Sequence, residues 1–359
     1  MPPTTAPSTT PASELTGVPG EVSASVAGGS GHTRALVVAG SALLLAVVVV
    51  ASFVIGSRSI PAGHVWDSFF AFDGSLDHQI VRDSRVPRAV VGVLVGAALG
   101  LAGALMQGLT RNPLADPGIL GIESGASLGA VLAIQTIGWT DLRAIVWFAF
   151  AGAAVAAAVV TLLGSSGRGG ANPVKLALAG AAATSLLTSI TTGILLSDPG
   201  ALDSYRFWVV GSINGRDMSV AARVAPFIVI GTALAFASAR WLNSLALGDD
   251  VARGLGVQVV KARVLTSVAV VLLAGAAVAA AGPIGFIGLA VPHVARAVVG
   301  HDYRWILGTS VLLGPVMLLG ADIAGRVLAP GELQAGVVTA VIGAPVLIYV
   351  VRRASLGGL

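Results

Sequence analysis

The sequence predicts an all-α, polytopic membrane protein with about ten transmembrane helices. Three observations carry that reading. Of the 359 residues, 55% are hydrophobic and 11% are charged, whereas about a quarter of a soluble domain is charged. Mean hydropathy is +0.89. Apolar stretches of about 20 residues, the length that crosses a hydrocarbon core at 1.5 Å per residue, recur between short polar joints.

Residues 1–33 are Pro, Thr, Ser, Gly and Ala with almost no large apolar side chain. They bury too little surface to offset the entropy of ordering, so they are expected to form a disordered cytoplasmic tail ahead of a transmembrane domain over residues 34–359. Arg34 directly precedes a full-length apolar run, which argues for a retained span and against a cleaved signal.

The spans run over residues 35–55, 89–106, 118–137, 144–163, 176–196, 220–239, 264–281, 284–299, 305–323 and 337–351. Gly282-Pro283 divides some 35 apolar residues into two of them, because a Gly-Pro joint reads as a tight turn. An even number of spans places both termini on one side. The Lys and Arg distribution favours the cytoplasm for that side, through Arg34, Arg111, Arg168, Lys175, Arg240, Arg253, Lys261, Arg263, Arg296, Arg304, Arg352 and Arg353. The bias is weakened by external basic residues, Arg143 and above all the cluster from Arg82 to Arg88.

Gly92, Gly96 and Gly100 in the second span, and Gly121, Gly125 and Gly129 in the third, recur every four residues. Such ladders let helix backbones approach closely, so they predict a compact bundle and no chemistry. Arg85-Val-Pro-Arg88 reads as the start of the second span, with Pro87 in the first turn and Asp83 or Ser84 as its cap. Cations at a helix N-terminus oppose its dipole, so an outside group is expected to compensate them. Two readings remain open: lipid phosphates held by snorkelling arginines, or an acidic external protein. Arg326 stands four residues after Asp322, a spacing that lets them pair along one helix face.

Trp241 to Arg263 is the longest polar internal joint. Asp249 or Asp250 is expected to cap a short helix there and Gly256 to end it. In the fifth span, Thr184, Thr188 and Thr191 share one face, and such hydroxyls often bond back within the bundle. Gln107 and Asn112 suit interhelical hydrogen bonds. His293 has no second ligand at metal-binding spacing, so no metal site is expected.

Several classes are excluded or weakened. With no cysteine there is no disulfide, thiol catalysis or cysteine-ligated metal. The net charge of +4 gives no reason to expect a nucleic-acid partner. Lys175 and Lys261 are the only lysines, and neither sits in a phosphate-binding loop, so any ATP-Mg belongs to another subunit. Asp116, Glu123 and Asp322 fall near span ends, which weakens an ion-coupled transporter. No His, Asp or Glu cluster at catalytic spacing supports a membrane enzyme.

Six segments together resemble one family, the FecCD-type permeases of type II ABC importers for iron-siderophores, haem and cobalamin. They are Arg85-Val-Pro-Arg88, Gly103 to Gly121 with its Asn-Pro-Leu-Ala-Asp-Pro elbow, Leu247 to Gly256, Gly282 to Arg296, Ala321-Asp322 with Arg326, and Gly343-Ala-Pro345. The likeness covers nearly all of residues 35–353. It implies a ten-helix subunit in the bacterial cytoplasmic membrane, paired with a second permease copy or paralogue around a central pathway. It also implies a cytoplasmic ATPase dimer and an external substrate-binding protein.

By position, the resemblance makes Arg85, Arg88 and Arg326 the docking residues for that protein. Gly248, Asp249, Asp250, Ala252, Arg253, Leu255 and Gly256 become the ATPase-coupling helix, and the fifth span, with Thr184, Thr188 and Thr191, looks toward the pathway. Glu123, where relatives carry a small or hydroxyl residue, and the long tail are departures. The expected function is passage of an iron(III)-siderophore through a permease with no catalytic residue and no cofactor of its own. Haem or cobalamin is the alternative cargo, and ion-coupled transport the alternative of another class.

Overall fold

A computed structural model describes residues 31–137, 142–165, 173–329 and 331–356. The tail over residues 1–30, Arg168, and the side chains of Arg143, Arg352 and Arg353 lie outside the described residues. Every regular element among the described residues is helical. In chain order the α-helices are α1 (Gly31–Val54), α2 (Ala62–Phe70), α3 (Leu76–Gln79), α4 (Val86–Thr110), α5 (Ile122–Ile137), α6 (Leu142–Ser165), α7 (Pro173–Ser197), α8 (Pro199–Val209), α9 (Met218–Ala246), α10 (Asp249–Gly254), α11 (Val259–Ala281), α12 (Ile287–Val299), α13 (Tyr303–Leu328) and α14 (Ala335–Leu356).

Each of the ten expected spans coincides with one helix: α1, α4, α5, α6, α7, α9, α11, α12, α13 and α14. The turn at Gly282-Pro283 is present, with Gly282 at φ +76° closing α11 before α12 begins. Several boundaries differ from expectation, among them the end of α9, which runs on to Ala246 from the expected residue 239. Residues 31–33, expected in the tail, already belong to α1. Residues 80–85 form a π-helical stretch that joins α3 to α4, so the chain is continuously helical from Leu76 to Thr110. Arg85 and Arg88 therefore stand inside a long helix, not at its N-terminus, and neither Asp83 nor Ser84 caps it. The dipole argument does not apply to them.

α4 is the central helix, packed against α9, α11, α12 and α13. Its glycine ladder explains how. A Cβ on Gly96 would stand 2.5 Å from Pro315 Cα, and one on Gly100 would stand 2.6 Å from the Ser310 carbonyl oxygen, so α4 and α13 meet backbone to backbone. The second ladder does the same on another helix, with Gly125 against Gly152 and Gly129 against Phe148, and it seats α5 on α6. Among its helical neighbours α7 meets α5, α6 and α8, which leaves much of its surface open. α1 packs mainly on α13 and exposes Leu36, Leu43, Val47 and Val50.

Candidate functional site

Two polar assemblies lie at opposite ends of α4. At its N-terminal end the structure gathers Arg88 and Arg326 around Asp322, with Arg85 nearby. Arg88 donates from Nε to both Asp322 carboxylate oxygens, each at 3.1 Å, and from Nη2 to Oδ1 at 2.7 Å. Its Nη1 reaches Asn214 Oδ1 at 2.9 Å and Glu332 Oε2 at 3.0 Å. Arg326, one turn after Asp322, donates to Oδ2 from Nε at 3.0 Å and also from Nη2. Arg326 also ties in the end of α1, donating to the carbonyls of Ser52 at 3.0 Å and Ile55 at 3.2 Å.

Arg85 differs from the other two. Its guanidinium donates to the carbonyls of Phe53 and Arg58, and among the described residues no carboxylate is within ion-pair distance of it. Three guanidinium groups thus face two carboxylates, Asp322 and Glu332, and the excess positive charge sits on Arg85. All of these groups except Glu332 are turned into the chain: Arg85 is 5% exposed, Arg88 6%, Arg326 5% and Asp322 1%. Glu332 is partly exposed in the loop after α13, at φ +52°. Burial pushes its carboxyl pKa up, but the hydrogen bond and charge of Arg88 outweigh that and hold it below the ordinary range.

At the other end of α4, α10 forms the expected short helix. Gly248 at φ +107° is its N-cap, the role expected of Asp249 or Asp250, which instead occupy the first turn. Gly256 at φ +81° follows its C-cap. Asp249 accepts from Arg263 Nη2 on α11 at 3.0 and 2.8 Å, and also from Arg111, the left-handed C-cap residue of α4. One carboxylate therefore clamps α10 to two core helices. Ala252 is buried, while Leu247, Val251 and Leu255 point outward. Asp250 and Arg253 pair with each other in solvent at 2.7 Å.

The hydroxyl face of α7 is divided. Thr188 is open, Thr184 is half-buried and lies 3.5 Å from Ser124 Oγ, and Thr191 is buried with its hydroxyl donated to the Leu187 carbonyl at 2.8 Å. The outward stripe is Ser185, Thr188, Ser189 and Thr192. Its residues recur at the same helical spacing as Thr184, Thr188 and Thr191, so spacing alone cannot choose between the two stripes. Gln107 bridges helices as expected, donating to the Gly288 and Leu289 carbonyls at 3.3 Å and accepting from Arg296. Asn112 instead bonds locally, to the Leu114 amide at 2.9 Å. Glu123 and Asp116 line one small cavity together with Leu99 and Gly288.

Residues 44–353 match the FecCD transport family, a span that runs from within α1 to the last turn of α14 and includes both assemblies. The chain belongs to the FecCD transport family. This FecCD chain is 48% identical over 307 residues to the ferric enterobactin transport system permease protein FepD of Escherichia coli (strain K12), covering 86% of this chain and 92% of that protein. It is 43% identical to the Fe(3+)-citrate import system permease protein YfmD of Bacillus subtilis (strain 168), covering 79% and 84%. Among solved structures it resembles an inward-facing ABC transporter assigned to the metal-chelate type, with TM-score 0.79 and 27% identity over 89% of this chain and 99% of that one. As a FecCD permease it is a multi-pass membrane transport subunit of an ABC transporter, and the resemblance read from its motifs is correct.

Proposed function

We propose that this chain is the permease of an importer that moves an iron(III)-siderophore across the cytoplasmic membrane, driven by a separate ATPase and fed by an external binding protein. Iron-chelate cargo is supported by the two relatives named for ferric enterobactin and Fe(3+)-citrate. The observation that carries the coupling to a partner is α10. Val251 on it, with Leu247 before it and Leu255 after it, gives an outward apolar face, while Asp249 ties it to α4 and α11. An apolar face on a polar connection calls for a protein partner, and a clamped helix transmits the partner's movement instead of absorbing it.

A second permease subunit, the same chain or a paralogue, would cover the open surface of α7. The hydroxyl stripe there gives a path wall that hydrogen-bonds weakly and does not trap a bulky chelate. The permease does no covalent chemistry in this reading, and both termini lie in the cytoplasm. Docking of the binding protein is assigned to the arginine end. A partner carboxylate arriving above the cluster displaces water and meets the excess charge of Arg85, whose field strengthens as the dielectric falls.

Uptake of labelled iron-siderophore, haem and cobalamin by cells with and without the chain tests this function, with the ATPase and binding protein supplied. Siderophore uptake alone should disappear with the chain, and it should persist when the ion gradient is collapsed but ATP maintained. Loss of haem or cobalamin uptake instead would replace the cargo, and dependence on the gradient would overturn the ATP-driven reading. In the same assay Asp249→Asn should still bind the ATPase through the apolar face. Transport per ATP hydrolysed should fall by roughly 2- to 30-fold, the range for a coupling residue worth about 0.5–2 kcal/mol.

Arg85→Gln is expected to weaken capture of the binding protein by about tenfold or more, since a charged hydrogen bond contributes about 1.5–3 kcal/mol. Glutamine removes the charge but retains a donor for one of the two carbonyls. Binding measured on the reconstituted transporter checks this, and capture equal to that of the unsubstituted chain would remove Arg85 from docking.

A further inference from the structure

The segment between α1 and α4 carries the most concentrated exposed aromatic surface of the described residues, and neither the bundle nor the arginine cluster uses it. Val65 and Ser68, three residues apart on α2, are both buried against the chain, and Val65 joins a small core with Ile60 and Val81. Trp66 and Phe70, four apart, form a separate flank, 65% and 72% exposed, with ring centroids 4.5 Å apart. His64 and Asp67 lie on the remaining, polar flank, where His64 meets Asp77 at 3.3 Å. α2 therefore has three faces: one against protein, one aromatic and one polar.

The aromatic flank adjoins the exposed apolar surface of α1. Phe69 lies 6.1 Å, centroid to centroid, from Phe53, in the last turn of α1, whose outward residues are aliphatic. Beyond α2, Phe72 is exposed beneath the Arg82 guanidinium, which stands 4.3 Å above its ring, and Arg82 Nε holds the Ser68 carbonyl at 2.5 Å. Aromatic side chains beside arginines at the end of a membrane span are the combination that favours the boundary between acyl chains and phosphates.

We propose that α2 with Phe72 is an interfacial anchor, lying in the headgroup boundary of the leaflet opposite α10, and that lipid is its partner. Trp66, Phe69, Phe70 and Phe72 enter the acyl margin, Arg82 meets lipid phosphates, and His64 and Asp67, with Arg58 paired to Asp77 at 3.0 Å, face water. A protein approaching from solution would meet the polar flank first. The anchor has a structural consequence, because the two carbonyls that hold Arg85, those of Phe53 and Arg58, both lie in or beside the segment that links α1 to α2. Lipid seating of α2 thereby fixes the position of Arg85.

The chain has no cysteine, so single substitutions can carry a nitroxide label in lipid nanodiscs. Trp66→Cys, Phe70→Cys and Asp67→Cys remove one side chain each and leave the other aromatics in place. Labels at 66 and 70 should collide with oxygen several-fold more, relative to a water-soluble nickel chelate, than the label at 67. Equal ratios at the three positions would overturn the anchor. So would labels at 66 and 70 that stay open to the nickel chelate until purified binding protein is added, which would assign the face to that protein. Should any one labelled variant fail to fold, Phe72→Cys provides a further lipid-side position and His64→Cys a further water-side one.

Discussion

Asp322→Ala should give little or no folded protein and no uptake. Among the described residues Asp322 alone pairs with both Arg88 and Arg326, and it is almost fully buried with them. Removing it leaves Arg88 with Glu332 alone and takes from Arg326 the carboxylate it donates to, so two buried guanidinium groups lose their shared counter-charge. Breaking a buried pair costs about 3–5 kcal/mol, and here one change breaks two. The loss extends beyond the charges, because Arg326 also holds the end of α1 and Arg88 holds the loops that carry Asn214 and Glu332. Yield and thermal unfolding of the detergent-solubilised chain check this, with uptake as the functional readout. Asp322→Asn, which keeps the shape and some hydrogen bonds, should lose less. Normal yield and unfolding temperature for Asp322→Ala would mean that the cluster does not hold this end of the bundle.

Gly96→Leu is expected to be as damaging, for a steric reason. Cβ alone would stand 2.5 Å from Pro315 Cα and 2.6 Å from Pro315 N, and these are backbone atoms of α13 that have no alternative rotamer. Overpacking a core costs about 1–3 kcal/mol when side chains can move aside. Two helices in backbone contact must separate instead, so the cost should reach or exceed the top of that range. Because α4 is central, separation from α13 also disturbs the Arg88–Asp322 pair. Gly40→Leu is the control, since nothing lies within 4 Å of a Cβ there. Unfolding temperature should fall sharply for Gly96→Leu and stay nearly unchanged for Gly40→Leu; equal behaviour would show that the ladder is not a close-packing device.

Much of the architecture was readable from the chain. Ten apolar runs became ten helices because length and hydropathy are local quantities, and because the joints between them carry local breakers such as Gly282-Pro283. The i, i+4 pair of Asp322 and Arg326 and the short helix at 249–254 were readable for the same reason. α2 and α8 were missed as helices. α2 is too short and too mixed to stand out by hydropathy, although the Trp66-to-Phe70 spacing was an available signal. For α8, the signal was Asp198 before Pro199, with the aspartate accepting from the Gly200 amide at 3.0 Å and the Ala201 amide at 3.1 Å as an N-cap should.

By itself, then, the sequence determined that this is a multi-span helical membrane protein, roughly where its spanning helices lie, and, through its motifs, the family to which it belongs. Only the tertiary structure decided where the charges go. Arg88 finds Asp322 across 234 residues of chain, and no local rule reports that meeting. The π-helical stretch carries the helix straight through Arg85 and Arg88, so both turn inward, Arg88 to a carboxylate and Arg85 to backbone carbonyls. On α7 the periodicity offered two hydroxyl stripes, and packing against α5 and α6 turned Thr191 inward and left Ser185, Ser189 and Thr192 open. Hydropathy and helical period are set by neighbours in sequence. The direction a side chain faces is set by neighbours in space, and in a bundle of small residues those are distant parts of the chain.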